Sequence, residues 1–535
     1  MEYDYVVVGA GSTGCALAAR LSEDGNSTVA LIEAGGRDWN PWIHIPVGYF
    51  RTMGNKSLDW CYKTEPDPGL NGRSINWPRG KVWGGSSSLN GLLYVRGQAE
   101  DYDQWRQQGN VGWAWDDVLP YFKRSENSVR GGDDFRGDSG PLTVDDMRLR
   151  REICDQWVEA AQTAGYKFNP DYNGADQEGV GYFQFTSRKG LRCSAATAYL
   201  KPNLGQSNLT VISKALTRRV LFEGRIATGV EIERDSNRET ITARSEVILC
   251  AGAIGSPQIL MLSGIGNGEH LKSHGIEVLR DAPDVGRNLQ DHLQARLIHK
   301  CAKPTMNNEV NSLLGKAKIA AEYAFKRTGP MTMAASLACG FLKTREDLAT
   351  PDIQFHIQPW SADSPAEGPH KFSAFTSSVC QLRPESRGHL ELASANPKDY
   401  PLIHPNYLAT PLDQQTMVAG VKIARQIAET DPLKSSITSE HAPGADAQSD
   451  EDLLEWVRNT STTIYHPTGT CRMGQDDSAI VDERLRVKGV SNLRVADCSI
   501  MPTLVSGNTN APAMMIGEKL SDMIREDAQQ MAGAA

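Results

Sequence analysis

Val6-Val7-Val8-Gly9-Ala10-Gly11-Ser12-Thr13-Gly14 decides how this chain is read. A short apolar, β-branched run from Tyr3 to Val8 ends in three glycines spaced G-x-G-x-x-G. Behind them Cys15, Leu17, Ala18 and Leu21 recur at helical spacing between Ser12 and Glu23. A second apolar run, Thr28 to Ile32, ends at Glu33. Strand, tight turn, helix and strand in this order predict a βαβ unit. Gly9 permits the sharp turn, Gly11 lets backbone approach a pyrophosphate, and Gly14 lets the helix pack on the strand. The phosphates then meet the positive end of the helix. Glu33 is placed where a carboxylate accepts both ribose hydroxyls, which disfavours a 2′-phosphate. The expected ligand of Gly9, Gly11, Ser12, Thr13, Gly14, Glu33 and Ala34 is therefore FAD or NAD, which the turn alone does not separate.

The rest of the composition narrows the class. The chain has 535 residues, room for about three to four domain equivalents. Its 56 basic and 65 acidic residues give a net charge of −9, and there is no basic run, which argues against nucleic acid as a partner. Ten cysteines are scattered with no C-x-x-C spacing, so no metal site is expected and free thiols suit a reducing compartment. The N-terminus is acidic, unlike a signal peptide, and no apolar run approaches the ~18 residues of a membrane span. The expectation is a cytoplasmic protein, monomer or homodimer, with peripheral contact with the inner membrane left open.

Along the chain, helices are expected at Trp115 to Arg124, Arg150 to Ala164, Gly255 to Leu262, Pro411 to Glu429 and Ala511 to Glu526. Strands are expected at Leu209 to Ile212, Val220 to Phe222, Ala227 to Ile232, Glu246 to Cys250 and Leu493 to Ala496. Lys167 to Gly190 reads as polar and turn-rich. Nucleotide-type signals at both ends predict two interleaved domains: a dinucleotide-binding domain built from 1–155, 206–295 and 461–535, and a substrate domain from 156–205 and 296–460.

Four further blocks carry a resemblance. Pro78-Arg79-Gly80-Lys81-Val82-Trp83-Gly84-Gly85-Ser86-Ser87-Ser88-Leu89-Asn90-Gly91 and Gly255-Ser256-Pro257-Gln258-Ile259-Leu260-Met261-Leu262-Ser263-Gly264-Ile265-Gly266 are similar to the two signatures of the glucose–methanol–choline (GMC) flavin oxidoreductases. His466-Pro467-Thr468-Gly469-Thr470 and Gly507-Asn508-Thr509-Asn510-Ala511-Pro512 resemble that family's catalytic segments. The bacterial choline dehydrogenases and long-chain alcohol dehydrogenases are the nearest branch. The resemblance implies an α/β fold: a Rossmann-like FAD-binding domain of the glutathione-reductase type, interleaved with an α+β substrate domain carrying an antiparallel sheet. It implies FAD, with Val82, Gly85, Ser86, Asn90, Gly91, Leu92 and Leu93 at the flavin, the Val220 backbone at the adenine, Ala251 and Ala511 in contact, and Asp497 near the ribityl and pyrophosphate. Relatives that bind FAD covalently use a histidine where this chain has Leu89; leucine has no nucleophile, so non-covalent FAD is expected.

Alcohol oxidation needs a base within hydrogen-bonding reach of a weakly acidic hydroxyl. His466, held extended before Pro467, is the expected base. Asn510 is expected to donate to the developing alkoxide, and it also reads as the cap of a helix whose first turn holds Pro512. Tyr465 is expected beside the ring. The expected reaction oxidises a primary alcohol, aliphatic or aromatic, by hydride transfer to flavin N5, with a quinone or dye as acceptor. An oxidase using oxygen (aryl-alcohol, hydroxymethylfurfural or choline type) is the alternative, followed by a non-redox lyase, a light-driven decarboxylase and a flavin-binding protein without catalysis. Phe355, Trp360, Phe372 and Phe375 are compatible with an apolar alcohol pocket, and no dense aromatic or acidic cage for a quaternary ammonium is evident.

Overall fold

The computed structural model describes residues 1–363 and 368–534, with side chains through residue 530. The predicted βαβ unit forms as Glu2–Val8 (β1), Ser12–Ser22 (α1) and Val29–Glu33 (β2). Val29 to Glu33 are buried throughout, the pattern of a parallel strand covered on both faces. Gly9 has φ +103, and a Cβ there would lie 2.4 Å from the Cys250 carbonyl oxygen. A Cβ on Gly14 would lie 1.9 Å from the Gly9 carbonyl oxygen. Both positions therefore demand glycine for packing reasons before any ligand is considered.

Around this unit a seven-stranded sheet is assembled from distant parts of the chain. Leu209–Ser213 pairs with β2, β2 with β1, and β1 with the second half of Asn237–Leu249, all parallel. Leu493–Val495 adds a parallel strand on Val247 to Leu249, and an antiparallel hairpin of Leu216–Glu223 and Ile226–Arg234 extends the sheet through the first half of Asn237–Leu249. The long C-terminal helix Asn510–Ala534 packs along α1, fixed by Thr13 Oγ1 donating to the Ala513 carbonyl (2.7 Å) and Arg20 on Glu518 (2.8 Å).

A second seven-stranded sheet is antiparallel, with Gly179–Tyr182 at one edge, then Ala338–Leu342, Ile353–Gln358, Ala374–Gln381, Leu293–Cys301 and Ile437–Ala442; Thr462–Thr463 pairs with the start of Leu293–Cys301. Gly179–Tyr182 corrects the turn-rich reading of 167–190: two glycines mask a strand whose partner is 160 residues away in sequence. Asn237–Leu249 is likewise longer than its apolar end suggested, because its polar half lies in the exposed hairpin. All ten cysteines are free thiols. No described helix is long and apolar enough to cross a membrane.

Candidate functional site

One continuous cavity runs between the two sheets. Its nucleotide end is lined by Gly9, Gly11, Ser12, Thr13, Glu33 and Ala34, at the C-terminal ends of the parallel strands. A Cβ on Gly11 would meet only the Cys250 carbonyl oxygen at 3.9 Å, so this glycine leaves open space rather than filling a packing gap. Gly14 is behind it, in the helix–strand contact. Gly84, whose N–H donates to the Ala10 carbonyl (2.8 Å), and Gly85, where a Cβ would lie 2.8 Å from Gly11 Cα, press the second glycine segment onto the first turn. Gly85, Ser86, Leu89, Asn90, Gly91, Leu92 and Leu93 continue the lining. This backbone-rich cradle fits an extended dinucleotide.

The two acids at this end are already engaged by backbone. Glu33 Oε2 accepts from Ala10 N–H (3.0 Å) and Oε1 from Gly35 N–H (2.8 Å), which holds the turn as well as facing the cavity. Burial pushes its carboxyl up to about 7, against the pull of those two donors. Each oxygen keeps a further lone pair for a ribose hydroxyl. Asp497 accepts from Gly252 N–H (2.9 Å), Ser256 Oγ (2.6 Å) and Ser499 N–H (2.8 Å), and so ties the helix Gly252–Leu262 to the strand Leu493–Val495. A Cβ on Gly252 would meet nothing within 4 Å, and Ala251 and Gly252 face the cavity beside Asp497.

Besides Gly14, three expected cofactor residues lie outside the lining. Val82 is fully buried among Ile43, Leu58 and Leu89. Val220 is outside the cavity, its N–H donating to Ser263 Oγ (2.8 Å); Ala215, Leu216 and Thr217, at the near end of the same segment, line the cavity instead. Ala511 is buried in the first turn of its helix, and Asn510 and Ala513 supply the lining there.

At the other end His466 is buried, with its N–H donating to Asp291 Oδ1 (2.7 Å). Tyr465, before it, has φ +72, an unusual conformation for a tyrosine. That turn is held by Tyr465 N–H donating to Thr463 Oγ1 (2.6 Å) and by the Arg79 guanidinium donating to the Tyr465 carbonyl (2.6 Å). His466 Nδ1 lies 3.0 Å from His292 Nδ1, and His292 Nε2 lies 2.9 Å from the Leu382 carbonyl oxygen. A carbonyl only accepts, so His292 carries its proton on Nε2. Burial holds His292 neutral, with its pKa down at about 4, so its Nδ1 has a free lone pair. His466 must then donate from Nδ1, which leaves its Nε2 lone pair on the cavity side. Burial, with the Arg79 guanidinium adding to it, holds His466 well below the usual imidazole range.

The carboxamide that meets His466 is Asn508, whose Nδ2 is 3.2 Å from His466 Nε2. This corrects the pairing of His466 with Asn510. Asn510 also lines the cavity, but its Oδ1 accepts from Ser12 Oγ (2.8 Å), and it opens the helix Asn510–Ala534 against the glycine turn. Both Asn508 and His292 were missed in the sequence. The available signals were a second asparagine in Gly507-Asn508-Thr509-Asn510 and the titratable pair Asp291-His292 just before a strand. Of the four aromatics expected in the pocket only Trp360 lines it. Phe355 packs on Trp157, Phe375 on His299 and Phe372 on His370. Tyr49, Phe50, Trp60 and Tyr62 line it instead, with Phe50 edge-on to Trp360 at 5.0 Å. Arg296 faces the same space, and the only acids among the described lining residues, Glu33 and Asp497, lie at the nucleotide end.

Comparison with known proteins gives one answer. Residues 3–294 and 384–517 match the two sequence descriptions of the GMC oxidoreductases. The chain is 43% identical to an alcohol dehydrogenase [acceptor] of Pseudomonas putida over 98% of this chain and 95% of the relative. It is 44% identical to the mitochondrial choline dehydrogenase of Homo sapiens, over 98% and 90%. The crystal structure of pyridoxine 4-oxidase from Mesorbium loti superposes with a TM-score of 0.89 at 32% identity, covering 98% of this chain and 99% of that one.

Proposed function

The chain belongs to the GMC oxidoreductases, FAD-binding enzymes that act on CH–OH donors, and on that premise we propose that it is a dehydrogenase of uncharged primary alcohols with His466 as base. The hydrogen-bond chain Leu382 carbonyl–His292–His466 carries this reading, because it presents an unprotonated Nε2 to the cavity. Bound FAD would supply the hydride acceptor. His466 Nε2 takes the hydroxyl proton, which a neutral imidazole does only while its own proton stays on Nδ1. Asn508 Nδ2 donates to the His466 Nε2 lone pair (3.2 Å), and as that lone pair takes the hydroxyl proton Nδ2 donates instead to the substrate oxygen where negative charge develops, a role given earlier to Asn510. Tyr465, Phe50 and Trp360 exclude water around the carbon end of the substrate. Leu89 at the cavity wall offers no atom for a covalent bond, so the flavin is held non-covalently.

Arg296 selects against choline-like substrates. It is half-buried at the substrate end, with Asp363 acting on it and no acid among the described lining residues there, and the same-sign charge of a quaternary ammonium would meet it in a partly screened space. An oxidase using oxygen is the second reading, and a quinone or dye is the acceptor in the first. The test is a substrate panel with purified protein, assayed with a dye acceptor and with oxygen alone. Uncharged primary alcohols should reduce the dye, choline should have a kcat/KM at least about tenfold lower, and His466→Ala should keep its yellow, acid-releasable FAD while losing about 10²–10⁴-fold in kcat. Near-normal turnover by His466→Ala would remove the base assignment.

A further inference from the structure

His389–Glu391 and Leu402–His404 form a short antiparallel pair outside both large sheets. Side chains alternate between the two faces of such a pair. Leu390 and Ile403 point inward and are buried. His389 and Glu391 therefore share the outer face, and His404 lies directly opposite His389. The two imidazole rings stack at 4.7 Å with 18° between their planes. One ring nitrogen of each histidine and a carboxylate oxygen of Glu391 all lie within 4.8 Å of one another. All three side chains are half-buried, and among the described residues none of them has a hydrogen-bond or ion-pair partner.

Two imidazoles and a carboxylate converging in this way suit a divalent first-row transition ion. Such ions take imidazole and carboxylate together, whereas Mg²⁺ and Ca²⁺ prefer shells of oxygen. Ligands bound tetrahedrally at ~2.1 Å sit about 3.4 Å apart, a spacing that rotation of these side chains reaches without moving backbone. Burial, then the Arg287 guanidinium, lowers the His389 pKa while Glu391 acts against them, so a ring lone pair is free near neutral pH. The Arg287 side chain is exposed and can swing away from an incoming cation. His270, on the helix Gly268–Ser273, is beside the same face, but its Nε2 already accepts from Leu392 N–H (3.2 Å) and so supports the pair rather than an ion. A second grouping, Asp363, His370 and His441, is committed elsewhere: His370 Nδ1 is 2.9 Å from Ser361 Oγ, its Nε2 is 3.1 Å from Asp363, and the other two members are exposed.

We propose that His389, Glu391 and His404 hold one divalent first-row transition ion such as Zn²⁺, and that the ion fixes the segment 392–401 against the flavin cavity. Cysteine spacing gave no reason to expect a metal; this donor set comes from a strand pairing that spacing does not show. The segment 392–401 joins the two strands and forms part of the cavity wall. Pro397 lines the cavity, the Asp399 carbonyl accepts from Gln258 Nε2 (2.9 Å), and Tyr400 meets the lining residue Tyr62 edge-on at 4.9 Å. Its base is tied down by Leu390 N–H on the Gly286 carbonyl and Glu65 N–H on the Ile403 carbonyl, both 2.8 Å. An ion bonded to both strands opposes their separation, holds Pro397 in the wall and slows loss of FAD. No step of alcohol oxidation passes through it, and the proposal does not depend on the substrate or on His466.

The experiment is equilibrium dialysis of the chelator-stripped, FAD-loaded full chain against Zn²⁺ with Mg²⁺ in excess. The wild type should take up one Zn²⁺ per chain that Mg²⁺ does not displace. His389→Ala, His404→Ala and Glu391→Gln should each bind at least about tenfold more weakly, with the bound-flavin absorbance of the wild type showing that they fold. His441→Ala should bind as the wild type does. Release of FAD on warming, followed by flavin fluorescence, should slow at least about threefold with Zn²⁺ in the wild type and be unaltered by it in the first three variants. Absence of Zn²⁺ uptake, or undiminished uptake by His389→Ala and His404→Ala, overturns the site. Loss of uptake in His441→Ala assigns the ion to Asp363, His370 and His441 and also overturns it. Uptake at His389 and His404 with FAD release unaltered overturns the hold on 392–401.

Discussion

At the scale of single residues the site is ordered by what each imidazole can and cannot do. His292 is a positioning residue: its role is to accept the His466 Nδ1 proton, which it can do only while neutral. His292→Leu removes that acceptor, which a protonated His466 would use more strongly than a neutral one, so His466 becomes still harder to protonate. The expected outcome is a lower kcat with KM little changed, and an acid limb of the kcat/KM profile displaced to lower pH. A purely structural role would lower activity without moving that limb. The two asparagines separate in the same way. Asn508→Ala should cost about 10²–10³-fold in kcat with flavin content unchanged. Asn510→Ala frees Ser12 at the glycine turn, and should show chiefly as weaker FAD retention. Equal kcat losses in the two variants would return the alkoxide-donor role to Asn510. Asn510 came from the resemblance of its segment to the catalytic one, with a helix cap as its second reading; it is the first residue of the helix, but its Oδ1 accepts from Ser12 Oγ rather than from a helix N–H. The contact between Asn508 and His466 spans 42 residues, with His466 placed by the pairing of Thr462–Thr463 on Leu293–Cys301.

At the scale of elements, legibility follows the range of the forces involved. The βαβ unit could be read because its constraints are steric and lie within a few residues of each other. The pairing of Leu293–Cys301 with Thr462–Thr463, which brings His292 beside His466, has no local signature. The same distinction predicts two different glycine phenotypes. At Gly14 an added methyl would sit 1.9 Å from backbone, so Gly14→Ala should destabilise the chain itself and lower its yield and unfolding midpoint even without flavin. At Gly11 the space is open on the protein side, so Gly11→Ala should leave the apoprotein's midpoint within ~0.5 kcal/mol of wild type while sharply reducing FAD content. Normal flavin loading in Gly11→Ala would show that the pyrophosphate does not pass over this residue.

For the whole molecule, joining the two sheets around one cavity draws several histidines largely out of water. Burial lowers His356 to about 3 and His299 to about 4, alongside His292 and His466. His356 is the cleanest case. Its Nε2 has no hydrogen-bond partner, and its ring stacks on Phe183 at 5.2 Å. Between the unfolded value of about 6.5 and the folded value, the unfolded chain binds a proton that the native state refuses. Stability from this group is therefore present above about pH 6.5 and falls by up to about 1.4 kcal/mol per pH unit as the pH drops toward 4. Asp291, raised to about 6, and Glu33, raised to about 7, act in the opposite sense, with stability lost as pH rises through their folded values. Both carboxylates are common to wild type and variant, so their contributions cancel in a difference. His356→Phe keeps an aromatic ring against Phe183 and removes only the titrating group. Urea midpoints of wild type and His356→Phe, taken from pH 8 to about pH 4, should run parallel above about pH 6.5 and diverge below it, with the variant growing relatively more stable as acid increases. A constant offset across that range would mean that His356 is protonated as easily in the folded protein as in the unfolded chain, its ring solvated from the cavity it borders.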